Sequence, residues 1–176
     1  MKVAPDRGLT NRAMHFGATS WSLTEADNAA IGHVLQRFLF DSNARCALVV
    51  DRSGQLITTA GDRPTFDVTA FATLAAADFS ANDQLARLIG ERDFNTLFHQ
   101  GEKESMLLAD VARRVILVVL FDNRTTLGMV RLKMRATVDE MSRLFERMFA
   151  TAGARPAGQA PALLGDVDDE IDRLFQ

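Results

Sequence analysis

The chain of 176 residues is long enough for one domain with a single core and short terminal segments. Its 47% hydrophobic and 24% charged residues, with only four prolines and eleven glycines, exclude a low-complexity chain. The net charge of -3 offers no basic surface for nucleic acid or an anionic membrane. Asp166, Asp168, Asp169, Glu170 and Asp172 outweigh Arg155 and Arg173, which leaves the residues before 151 near neutral.

The first 21 residues read as a loose N-terminal extension without the apolar segment of a secretory signal. Ser22 or Thr24 can cap a first helix, with Glu25 and Asp27 in its opening turn and Ile31, Val34, Leu35, Phe38 and Leu39 on one face. Arg45 to Val50 and Gln55 to Thr59 then form a β-hairpin about the turn Asp51-Arg52-Ser53-Gly54. Cys46, the single cysteine, stands in this apolar run as a small core residue.

After the break from Gly61 to Pro64, an alanine-rich second helix begins at Asp67 and ends at Gly90. Phe71, Leu74, Leu85, Leu88 and Ile89 are expected to anchor it, leaving an outer face of small side chains that admits another helix closely. Strands follow at Thr96 to His99, Ser105 to Asp110 and Val115 to Asp122, the last expected to be central because it is the most apolar. Asn123 to Thr126 start a third helix, in which Leu127, Val130, Met134, Met141, Leu144, Phe145 and Phe149 recur at helical spacing. The element order is α-β-β-α-β-β-β-α.

Residues 22–150 thus form the folded domain, and 151–163 read as a flexible linker. Residues 164–176 form an acidic tail in which Val167, Ile171, Leu174 and Phe175 recur as on one face of a helix. Such a helix is marginal alone and needs a surface, either on a partner or on its own domain.

No segment reaches the roughly 20 apolar residues of a membrane helix, so no membrane insertion is expected. A glycine-rich phosphate loop with lysine is missing, which excludes the chain as a nucleotide hydrolase of that type. His15, His33 and His99 lack ligand spacing, and the serines lack nucleophile-elbow glycines. Neither a metal, a cofactor nor catalytic residues are expected.

Leu48 to Ile57, Leu85 to Glu91, Phe98 to Gly101 and Leu117 to Leu132 together resemble the bacterial MglB-type roadblock family over about residues 30 to 150. The ending Asp168-Asp169-Glu170-Ile171-Asp172-Arg173-Leu174-Phe175 also looks like that family's tail. The resemblance implies an α/β sandwich of the roadblock (longin-like) fold, with a five-stranded antiparallel sheet between helices. It further implies a cytoplasmic homodimer, located at a cell pole where polarity is the process, joined by the third strand and second helix. The implied partner is a Ras-like small GTPase of the MglA type that governs polarity or gliding motility.

On that reading Thr73, Ala76, Ala77 and Ser80 of the second helix contact the GTPase, unless these residues face the sheet or the sister helix. Asp168, Ile171, Leu174 and Phe175 of the tail add a second contact that promotes affinity or nucleotide exchange. The implied activity is stimulation of the GTPase by repositioning its switch residues, without an arginine finger. A non-catalytic adaptor is the alternative, and a small-molecule sensor or enzyme a distant third.

Overall fold

The computed structural model describes residues 15–16 and 21–153. A pair of two-residue strands, β1 (His15–Phe16) and β2 (Trp21–Ser22), precedes the main body and is not foreshadowed by any sequence pattern. The main body follows in the order α1 (Glu25–Ser42), β3 (Cys46–Asp51), β4 (Leu56–Gly61), α2 (Val68–Leu88), β5 (Thr96–Gln100), β6 (Ser105–Val111), β7 (Val115–Phe121) and α3 (Leu127–Gly153). This is the expected α-β-β-α-β-β-β-α succession. The third helix continues to Gly153, into the first residues that the sequence assigns to a linker.

The helix boundaries have local causes. Thr24 and Asp27 form a reciprocal capping box at the start of α1, with the Asp27 amide 3.1 Å from the threonine hydroxyl and the Thr24 amide 2.9 Å from the carboxylate. Asp67 accepts from the amides of Thr69 and Ala70 at the start of α2. That helix closes when the Glu91 amide reaches the Ala86 carbonyl and the Gly90 amide the Arg87 carbonyl, with Gly90 at φ +85°. At α3 the Thr126 hydroxyl accepts from the Met129 amide at 3.2 Å.

The five strands pair antiparallel in the order β4-β3-β7-β6-β5, so β7 lies at the centre as expected, with all seven residues buried. Alternation along β7 divides the core in two. Val115, Leu117, Val119 and Phe121 face α1 and α3, where Ile31, Leu35, Phe38, Met141 and Phe145 meet them. Ile116, Val118 and Leu120 face α2, with Leu48, Val50 and Cys46 from β3. Burial pushes the Cys46 thiol above its ordinary pKa.

The packing of α2 corrects the sequence expectation. Ala72, Ala75, Ala76 and Phe79 face the sheet and Ala86 is buried, while Leu74, Leu85, Leu88 and Ile89, expected as anchors, point outward. Phe71 is half-buried at the edge. The small residues are used beneath the helix, and Phe79 is its one large buried side chain. Among the described residues no helix is long and apolar enough to cross a membrane.

Candidate functional site

Among the described residues, α2 and its C-cap carry four of the eight exposed large hydrophobic side chains. Leu74 is 69% exposed, Leu85 58%, Leu88 82% and Ile89 70%, values that leave whole aliphatic side chains in water. Helical spacing groups Leu74, Ala81, Leu85 and Leu88 into one stripe and Thr73, Ala77 and Ser80 into an adjoining one. All of the second stripe is exposed. Ala76 is not part of this surface: it is buried against the sheet, about 60° round the helix from Thr73 and about 100° from Ala77.

The β3–β4 turn braces this face from the side. Asp51 is buried, and its Oδ1 accepts from the Ser53 amide at 2.8 Å, the Ser53 hydroxyl at 2.7 Å and the Gln55 amide at 2.9 Å. The closed turn puts Gly54, at φ +92°, against α2, where a Cβ would stand 2.9 Å from the Thr73 Cα. Only glycine allows the turn and the helix backbone to meet so closely.

Arg52 extends from the same turn across the end of the helix. Its Nη1 donates to Asp83 of α2 at 2.7 Å, its Nη2 donates to Asp110 of β6, and its guanidinium lies 5.1 Å from the Phe79 ring centroid. Burial works against the charge, but the two carboxylates outweigh it and hold the Arg52 pKa above its ordinary value. The Asp110 carboxylate also accepts from the Arg113 amide at 2.9 Å, and Arg113 pairs with Asp93. Turn, helix and sheet are therefore tied at one end of the exposed face. Sequence reasoning identified the turn but not this role of Arg52, since Asp83 and Asp110 stand far from it in the chain.

At the neighbouring sheet edge, β5 has a strand partner on one side only among the described residues. His99 on β5 and Asp78 on α2 meet at 2.7 Å, linking that edge to the helix. The open strand edge and the exposed helix face thus adjoin. Such a surface has the composition of a protein interface, with apolar stripes bordered by polar side chains. Among the described residues no group of three His, Cys, Asp or Glu side chains could hold a metal ion. The tail positions Asp168, Ile171, Leu174 and Phe175 lie outside the described residues.

Comparison with known proteins agrees with this architecture. The family model for the Roadblock/LC7 domain matches residues 30–121. The solved structure of MglB from Myxococcus xanthus is 44% identical, with a TM-score of 0.65 over 67% of this chain and 96% of that one. The gliding protein MglB from Thermus thermophilus is 30% identical, with a TM-score of 0.67 over 71% of this chain and 95% of its own. An uncharacterised protein of Methanocaldococcus jannaschii is 31% identical over 100 residues, which is 56% of this chain and 85% of that protein.

Proposed function

The chain belongs to the Roadblock/LC7 domain family, and from that premise we propose that it acts as a homodimeric activator of a Ras-like small GTPase of the MglA type. Its role is regulation of another enzyme in cell polarity or motility, with no active site of its own. The observation that carries this reading is the outward face of α2, a large exposed apolar surface on a domain 44% identical to an MglB. Leaving so much aliphatic side chain in water is unfavourable, at roughly 25 cal/mol per Å², and association removes that cost.

The two stripes of α2 divide the work. Leu74, Ala81, Leu85 and Leu88, beside the open edge of β5, join two copies of the chain. Thr73, Ala77 and Ser80 receive the switch region of the GTPase, where small side chains let it approach the helix backbone. The bracing of this helix by Gly54 and Arg52 suits it to reposition a mobile partner, because activation of this kind requires a surface that does not yield. The tail residues Asp168, Ile171, Leu174 and Phe175 supply a tethered second contact that favours nucleotide exchange.

The test is GTP turnover by the Ras-like GTPase of the same genome, with increasing amounts of this protein. Ala77→Arg is expected to keep the fold and the dimer while stimulation is lost, because the exposed alanine supports no core contact. Full stimulation by that variant would remove the α2 docking surface. A stable complex of the native proteins without any stimulation would instead assign the chain as an adaptor. Deletion of residues 162–176 is expected to weaken the complex or slow exchange and to leave the dimer intact.

A further inference from the structure

A groove of about 630 Å³ lies on the face of the sheet opposite α2, between α3 and the strands β5 and β6. That volume is in the range of small-molecule sites. Its floor belongs to the core, since Leu107, Ala109 and Met134 are buried within one cluster, so an occupant meets chiefly the side chains at the mouth. Those are polar: Asn95 and Thr96 on the β5 side, and Arg131, Arg135 and Asp139 on α3, all exposed. Asp110 also lines the groove, but its carboxylate is engaged by Arg52 and by the Arg113 amide. Two guanidinium groups therefore stand against the single uncommitted carboxylate of Asp139.

The two arginines are set for one shared anion. Arg131 and Arg135 stand four residues apart on α3, about 6 Å along its axis, so they share one side of the helix. The Arg131 guanidinium leans over the sheet, 6.0 Å from the ring centroid of Phe98 on β5. Neither arginine has a carboxylate partner among the described residues, whereas Arg37, Arg45, Arg52, Arg113 and Arg124 each have one. A carboxylate satisfies one guanidinium fork with its two oxygens, but a phosphate monoester brings three terminal oxygens and a charge near -2, enough for both forks. Across the groove, the Asn95 amide and the Thr96 hydroxyl are available as neutral donors. Asp139, one turn beyond Arg135, would repel a second phosphate but accepts hydrogen bonds from hydroxyl groups.

We propose that this groove binds a small phosphate monoester with a hydroxylated body, of the class of the sugar phosphates. The phosphate lies between Arg131 and Arg135 with Asn95 and Thr96 opposite, and the hydroxyl groups face Asp139. The site uses the side of the sheet away from α2 and does not rest on the GTPase reading. It is tested with no GTPase present, so failure of either reading leaves the other intact.

The experiment titrates the full chain with ribose 5-phosphate, inorganic phosphate and ribose at constant ionic strength, with affinities from calorimetry and the arginine Nε–Hε resonances followed by NMR. Saturable shifts at Arg131 and Arg135 are expected with both phosphates and not with ribose, and ribose 5-phosphate is expected to bind more tightly than inorganic phosphate. Arg131→Gln combined with Arg135→Gln is expected to weaken ribose 5-phosphate binding at least about tenfold, through loss of two charge-assisted contacts. Arg143→Gln, on the same helix but outside the groove, is expected to leave it unchanged. Asp139→Ala is expected to strengthen inorganic phosphate and to abolish the advantage of ribose 5-phosphate. Circular dichroism checks that each variant stays folded. Shifts that do not saturate, or that sodium chloride alone reproduces, would overturn the proposal and assign the two arginines to a solvated face. So would binding unchanged in the double variant, or weakened equally by Arg143→Gln.

Discussion

The two helical layers of this domain bury different kinds of side chain. On one side of the sheet, α1 and α3 insert Phe38, Met141 and Phe145 and join each other through the Arg37–Glu140 ion pair. On the other, α2 sets three alanines and one phenylalanine on the strands and turns its leucines outward. The first layer satisfies its large apolar side chains mainly within the chain. The second leaves Leu74, Leu85 and Leu88 exposed, and on the reading proposed above it is the layer that association would complete.

The strongest way to break this contrast is to remove the one large anchor of the second layer. Phe79→Ala is expected to lower stability by about 3–5 kcal/mol, read from chemical denaturation, because it opens a cavity and removes the ring beneath Arg52. A cost near that of a surface substitution would show that α2 is held chiefly from outside. Ala72→Leu tests the close approach of the same helix and is expected to cost about 1–3 kcal/mol through overpacking. A neutral result would mean that α2 can lift from the sheet.

The smallest effect on the fold is expected for Leu74→Glu, whose side chain is exposed and carries none of the core. The stability of the isolated chain changes by no more than about 0.5 kcal/mol. Sedimentation is where the substitution acts: the dimer gives way to the monomer. A Leu74→Glu protein that still sediments as a dimer would place the seam between copies elsewhere.

Much of the fold was legible because its signals are local. Thr24 with Asp27, Asp67 and Gly90 each set a helix boundary through contacts within a few residues, and the continuous apolar run of β7 marks a central strand. The orientation of α2 was not legible. Alanine suits either face of a helix, and the rule that large apolar residues lie inside fails for Leu74 and Leu88, which stand exposed. That reversal also removes Ala76 from the surface while leaving Thr73, Ala77 and Ser80 upon it. The Arg52 cluster was hidden for another reason: it joins a turn, a helix and a strand, and no spacing in the sequence links Asp83 to Asp110. The groove beside α3 is likewise made by strands and a helix distant in sequence.

Cys46 carries one last consequence. It is the only thiol in the chain, 4% exposed on the strand between β4 and β7, and burial disfavours its reactive thiolate. A thiol reagent therefore reacts only when β3 is uncovered, and its rate times the opening of the α2 side of the sheet. The protein carries a built-in clock for the parting of helix and sheet, readable without adding any label site. Whatever binds α2 should slow that clock.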